Sequence, residues 1–387
     1  MAKEKKTMMN TYSVIDLTQK VGGSLDGFLN LPPKPHSLQK IVITGATGWF
    51  GRHLVRTLLR QTQAQLFLLH RSPIKPDILW NTSQLQKESQ EKNWTSRIQW
   101  LCVGNLQEAR FPQMHFDTLI HSAADLSLAK DLESIWGSNT LSTQRLFSWA
   151  LQNGCQHFHY ISTLSVWVSS LFNEPLCLEE QSLEKSHQLF GGYASSKWCS
   201  ESFLRLQMER FPMKISIHRL GLLTFSNEEG WHPHDPVWST IEAWKKWGKP
   251  DFIPLHGLDL NTAFDWSPVC ECAEKLTQAI ILGGQGAFHW ASQTPILAQT
   301  WFDLLNQYIS PEQQCPWPKQ HPTGKIAYRA LDRWANPEHW KKRWWMDLCQ
   351  TDRHHFSIQR AEKLVGSLWN PKLLLQMSYL QKLSIIV

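Results

Sequence analysis

Between residues 40 and 220 the chain alternates short unbroken apolar runs with longer stretches in which apolar positions recur every three or four residues. Unbroken runs mark strands buried on both faces, and the wider spacing marks helices that cover a sheet. The pattern predicts strands at 40–44, 65–69, 98–103, 118–121, 157–162 and 214–218. It predicts helices at 49–60, 139–152 and 193–211, the last stopped by Pro212. Such alternation implies an α/β fold with a Rossmann-type, doubly wound parallel sheet. Past residue 221 the pattern becomes irregular and rich in Trp, Pro and His, with helices predicted at 236–247, 268–282 and 295–308. The division expected is a leader over 1–38, an α/β domain over 39–220 and a smaller mixed C-terminal lobe over 221–387, with 265–282 packing back on the α/β domain. Gly22-Gly23 and Leu31-Pro32-Pro33-Lys34-Pro35 make the leader a drape over the domain and not a part of its sheet.

Composition narrows the class. The 387 residues are 42% hydrophobic and 19% charged, ordinary for a globular chain with a sizeable core. No apolar run approaches the roughly eighteen residues of a membrane span. Lys3, Lys5 and Lys6 have no apolar stretch behind them, so the start does not read as a secretory signal, and a cytoplasmic setting is expected. The eight cysteines contain no Cys-x-x-Cys pair, and Cys270 and Cys272 have the wrong spacing for common zinc knuckles, so reduced thiols are expected. A net charge of +6 argues against a dedicated nucleic-acid binder and suits phosphates or an acidic partner. Trp244-Lys245-Lys246-Trp247 and Trp340-Lys341-Lys342-Arg343-Trp344-Trp345 fit either amphipathic helices with inward indoles or a basic aromatic rim for an acidic carrier.

The strand Ile41-Val42-Ile43-Thr44 runs straight into Gly45-Ala46-Thr47-Gly48-Trp49-Phe50-Gly51 and a helix. Glycines so spaced permit a tight turn, a close approach of backbone N–H groups to a pyrophosphate, and close helix–strand packing. About twenty residues past the last glycine stands Arg71, with no acid to hold a ribose hydroxyl. A guanidinium there favours a 2′-phosphate, hence NADPH over NADH, with Arg52 as a second candidate cation. Tyr193-Ala194-Ser195-Ser196-Lys197 sets a phenol and an ammonium on one helix face. The lysine is expected to lower the phenol pKa and to hold ribose hydroxyls, while the tyrosine donates a proton to, or stabilises, a carbonyl oxygen during hydride transfer. A third hydroxyl is expected at the end of the preceding strand, from Ser162 or Thr163, although either can instead satisfy backbone groups there. Trp231-His232-Pro233-His234-Asp235 reads as a loop near a pocket and not as a metal site, His354-His355 as a surface pair, and Cys199 as a packed thiol.

These motifs resemble those of the extended short-chain dehydrogenases/reductases, and within them the thioester reductase domains and fatty acyl reductases of the male-sterility type. The resemblance covers residues 41–281 and includes His121-Ser122-Ala123-Ala124, Ser138-Asn139-Thr140, Tyr160-Ile161-Ser162-Thr163-Leu164-Ser165-Val166, Gly192-Tyr193-Ala194-Ser195-Ser196-Lys197-Trp198, Arg219-Leu220-Gly221 and Asp265-Trp266-Ser267-Pro268-Val269. It implies that Thr163 and Tyr193 hold the carbonyl oxygen and that Lys197 fixes the nicotinamide ribose. It further implies that Gly45, Thr47, Gly48, Trp49, Phe50 and Gly51 cradle the cofactor, that Ala123 and Ala124 line it, and that Asn139 stabilises a helix bend. Asn105 stands with Leu106 at the adenine position where relatives usually carry an aspartate, and Ser142 and Leu220 replace a usual glycine and proline. The function implied is NADPH-dependent reduction of an acyl thioester, on a carrier protein or coenzyme A, to an aldehyde, with onward reduction to the alcohol left open. The lobe past residue 221 would then bind the substrate. Another extended family member acting on a hydroxyl or ketone, of the sugar-nucleotide or steroid kind, stays open, as does a non-catalytic NADPH-binding sensor. Oligomeric state is not legible.

Overall fold

The computed structural model describes residues 11–13, 38–73, 76–127, 130–167, 176–177, 179, 183, 188–230, 232, 235, 237–238, 241, 263–294, 296–308 and 355–369. Its centre is a seven-stranded sheet: β1 (Lys40–Thr44), β2 (Gln65–His70), β3 (Ile98–Cys102), β4 (Thr118–His121), β5 (His157–Thr163), β6 (Lys214–Leu220) and β7 (Gly286–Trp290). All neighbours are parallel and the order is β7-β6-β5-β4-β1-β2-β3. The order turns back between β1 and β4, which opens a crevice at the C-terminal ends of those strands.

Alternation along β1 sorts the core into two layers. Ile41 and Ile43 face α1 (Trp49–Gln61) and, later in the chain, α6 (Val269–Ile281), whose Cys272, Leu276 and Ile280 join the same cluster. Val42 faces the other way, with Leu119, Phe158 and Ile215, toward Leu146, Phe147 and Ala150 of α4 (Ser142–Gln152) and Leu204 of α5 (Gly191–Met208). The remaining α-helices among the described residues are α2 (Ser83–Glu91), α3 (Leu132–Trp136), α7 (Ala298–Tyr308) and α8 (Gln359–Val365).

Several elements depart from the sequence pattern. The sheet does not end at residue 220, because Gly286–Trp290 adds a seventh strand beside β6. The helix expected over 139–152 begins at Leu132 and is interrupted by a π-turn, Gly137–Leu141, centred on Asn139. Thr11–Ser13 of the leader pairs antiparallel with Gln188–Phe190, just ahead of α5 and apart from the central sheet. Both Trp-Lys clusters and most of the helix expected at 236–247 lie outside the described residues.

Candidate active site

The glycine turn explains itself once the fold is formed. Gly45 sits at φ +74°, and a Cβ there would approach the Ala123 nitrogen to 2.6 Å. A Cβ on Gly51 would run into the Gly45 carbonyl oxygen. The Gly48 N–H donates to that carbonyl at 3.0 Å, and Gly48 begins α1 with no side-chain cap and no acid in the first turn. The start of α1 therefore keeps its positive end for an anion, and the cradle fits a dinucleotide's pyrophosphate. Gly48 is exposed, Thr47 and Trp49 are partly exposed, and Phe50 is buried in the core.

Facing the cradle, the Ala123 N–H donates to Thr44 Oγ1 at 3.1 Å, and Thr44 Oγ1 meets His121 Nδ1 at 2.7 Å. Ala123 and Ala124 are thereby held against the turn, both partly exposed. Arg71 is exposed at the end of β2. Asn105, exposed, and Leu106, partly exposed, lie in the turn after β3, where Gly104 takes φ +73°. These groups share the C-terminal edge of the sheet. Arg52 does not join them as a free cation: its Nε donates to both carboxylate oxygens of Glu229 at 2.9 and 2.8 Å. Glu228 and Glu229 reach α1 from a turn closed by Ser226 and Gly230, and they also engage Arg56 and Arg60. His232, farther along the same segment, stacks on Trp49 with centroids 4.9 Å apart.

Of the two candidate hydroxyls, Thr163 is the one that lies beside Tyr193, and its Oγ1 donates to Ser165 Oγ at 3.0 Å. Thr163 Oγ1 also accepts from the Ser165 N–H at 3.2 Å, so it caps the following turn as well. Ser162 points the other way and donates to Glu201 Oε1 at 2.5 Å. Lys197, one turn beyond Tyr193 on α5, sends its ammonium to the Ile161 carbonyl at 2.7 Å. The expected lowering of the phenol pKa is not what the fold produces. Desolvation pushes Tyr193 up to about 12 against the opposing influence of Thr163, and burial brings Lys197 down to about 7 against the pull of Glu201. Burial outweighs pairing because the lysine points at a strand carbonyl. A phenol so held stays protonated at neutral pH and can donate to an oxyanion.

Asn139 joins the two halves of the site from its π-turn. Its Oδ1 accepts from the Asp125 N–H at 2.7 Å, and its Nδ2 donates to the Asp125 carbonyl at 3.1 Å and to Ser196 Oγ at 2.9 Å. One amide thus ties the strand-end segment carrying Ala123 and Ala124 to the helix carrying Tyr193 and Lys197.

Sequence reasoning missed the polar layer underneath. Thr44, His121 and Tyr160 are register partners across β1, β4 and β5, a polar row inside strands that are otherwise apolar. A polar residue in a run buried on both faces is the signal that could have found them. Cys199 packs among Leu132, Val166, Trp167 and Leu189. Asp235 of the discounted histidine segment holds its loop, its carboxylate accepting from Thr224 Oγ1 at 2.7 Å and from the Phe225 N–H at 3.0 Å.

Known proteins resemble this chain in sequence and in fold. A family model described as male sterility protein, NAD-binding, matches residues 43–269. An isonitrile lipopeptide synthase of Streptomyces coeruleorubidus is 27% identical over 298 residues, 72% of this chain and 19% of that protein. The chain thus spans about a fifth of that relative's length, and less of other curated relatives it matches. Among solved structures, the terminal R domain from the myxalamid PKS-NRPS biosynthetic pathway superposes with a TM-score of 0.65 at 21% identity, covering 95% of this chain and 97% of that one. A thiolation-reductase di-domain from an archaeal non-ribosomal peptide synthetase gives 0.61 at 17% identity, covering 96% and 81%. At these identities the structures share the fold.

Proposed function

The chain belongs to the male sterility protein family of NAD-binding domains, and on that premise we propose that it is an NADPH-dependent reductase that converts a carrier-bound acyl thioester to an aldehyde. The observation that carries the proposal is the placement of Thr163 beside Tyr193 on the sheet edge that also presents the glycine cradle, with Lys197 one helical turn away. A reduced nicotinamide held in that cradle would supply the hydride.

The chain's own groups account for the rest. The Gly45–Gly51 turn and the open start of α1 hold the pyrophosphate, and Ala123 and Ala124 wall the crevice opposite. Arg71, exposed and one residue past β2, supports the choice of NADPH, since a guanidinium matches a 2′-phosphate with two hydrogen bonds. Asn105 can accept from an adenine amino group through its amide oxygen. Thr163 and Tyr193 donate to the carbonyl oxygen of the substrate as charge develops on it, and Tyr193 keeps its proton to do so. The resulting hemithioacetal collapses to the aldehyde by expelling thiolate. A lipopeptide synthase relative and a thiolation-reductase structural neighbour favour a phosphopantetheine thioester on a carrier over a coenzyme A ester.

The test is a panel of acyl thioesters, on carrier protein and on coenzyme A, with purified protein and NADPH. The expected result is NADPH consumption with release of free thiol and aldehyde, lost in Tyr193→Phe while NADPH affinity stays within about threefold. Turnover confined to ketones or alcohols, or full activity in Tyr193→Phe, overturns the proposal.

A further inference from the structure

Lys197 is charged in a place that gives a charge little support. It is 3% exposed, and its described partners are the Ile161 carbonyl oxygen at 2.7 Å and the face of the Tyr160 ring, whose centroid lies 4.6 Å from Nζ. One carbonyl dipole poorly replaces the water an ammonium leaves behind, and burial accordingly brings the lysine down to about 7. Two other titratable groups bear on it: Glu201, on the same helix, favours the charged form, while His121 on β4 stays neutral, driven down to about 3 by burial and by the ammonium itself.

Tyr160 is fixed for the task. It sits 1% exposed in β5, tilted against the His121 ring at 5.6 Å, and its buried hydroxyl makes no hydrogen bond among the described residues. Packed against that imidazole, the ring turns one face to Nζ. An aromatic face within about 6 Å attracts a cation, and most strongly where both are desolvated.

We propose that Tyr160 is a positioning residue for Lys197, its ring face carrying part of the ammonium charge and keeping the lysine protonated at the pH where the site works. The inference rests on Lys197 acting beside Tyr193 as the proposed function has it, yet the ring's hold on the charge can be read without any substrate.

The experiment follows Lys197 directly. The full-length chain is labelled at lysine Cε, and the resonance missing from Lys197→Met is titrated by NMR in wild type, Tyr160→Phe and Tyr160→Leu. Tyr160→Phe keeps the ring face and is expected to titrate within about 0.3 pH unit of wild type. Tyr160→Leu is expected to titrate about one unit lower. Should the leucine variant fail to fold, phenylalanines of increasing ring fluorination at position 160 keep the shape while weakening the face, and the midpoint falls step by step. The alkaline limb of kcat/KM on a thioester moves down by the same amount, a shift that a packing defect would not produce. Leucine or fluorinated variants titrating with wild type overturn the proposal. A titration shift in a chain inactive on every thioester upholds the Tyr160 assignment and sinks the proposed reaction.

Discussion

Glu201 on α5 and Arg219 on β6 form an ion pair with neither side chain open to solvent, Oε2 to Nη2 at 2.7 Å. Arg219 Nε reaches both carboxylate oxygens at 3.1 Å, Nη1 meets His289 Nε2 at 3.0 Å, and the guanidinium lies over the Trp167 ring. Ser162 adds a bond to the same carboxylate, so the helix bearing Tyr193 is fastened to β5 right beside Thr163. Losing one member of a buried pair strands the other charge, typically at about 3–5 kcal/mol. Glu201→Gln is therefore expected to lower the unfolding free energy in urea by about 3 kcal/mol, with partial recovery when Arg219→Met is added. A single variant as stable as wild type would show that the pair fastens nothing.

The three cradle glycines are expected to fail differently. Gly48 has φ −70°, and its Cβ would stand 3.2 Å from the Gly45 carbonyl oxygen, tight but tolerable. Gly48→Ala should hold stability within about 1 kcal/mol while weakening NADPH binding roughly tenfold, because the methyl group occupies the approach to the phosphate. Gly51→Ala, whose Cβ collides with backbone, should lose about 3 kcal/mol of stability along with binding. Thermal melts and fluorescence titrations on the two variants separate these outcomes, and equal losses would refute the division of labour.

Arg71 and Arg52 offer a second contrast. Arg71 is exposed at the cradle rim, whereas Arg52 is only 13% exposed and held by Glu229. Hydrogen bonds to a charged group contribute about 1.5–3 kcal/mol, so Arg71→Ala should weaken NADPH roughly 10- to 100-fold and leave NADH within about twofold. Arg52→Ala should change both nucleotides alike. The ratio of NADPH to NADH dissociation constants in each variant is the measurement; selectivity lost through Arg52 would reverse the assignment.

What the chain reveals before folding follows the range of each interaction. Strands β1 to β6 are legible because their apolar runs are nearly continuous, and the glycine turn and the Tyr193–Lys197 spacing are local patterns. β7 is not, since Gly286 and His289 break its run and its place comes only from pairing with β6. The partner of Arg52 lies 177 residues away, beyond any spacing rule. Burial decided the pKa of Tyr193, and burial is a property of the assembled layers. Asn139 shows the middle case: its position in a resembling motif suggested a helix bend, but its bonds to Asp125 and Ser196 exist only once α5 packs beside the π-turn.

Lys197 links stability to pH in a direction that can be worked out. An unfolded lysine keeps its proton to about 10.5, whereas in the fold the pKa is about 7. Between those values the unfolded chain binds more protons, so this residue makes the protein more stable as pH rises from about 7, and its burden is greatest below that. Lys197→Met removes the ammonium and keeps most of the side-chain volume. After allowing for the lost bond to Ile161, the variant should be more stable than wild type at pH 7 by about 3 kcal/mol in urea. The advantage should shrink as pH rises toward the unfolded pKa, where neutralising the lysine on folding costs little, and turnover should vanish throughout. A methionine variant less stable than wild type at pH 7 would mean that the pocket supports the charge outright, and that this lysine is part of the fold's stability and not a concession to its chemistry.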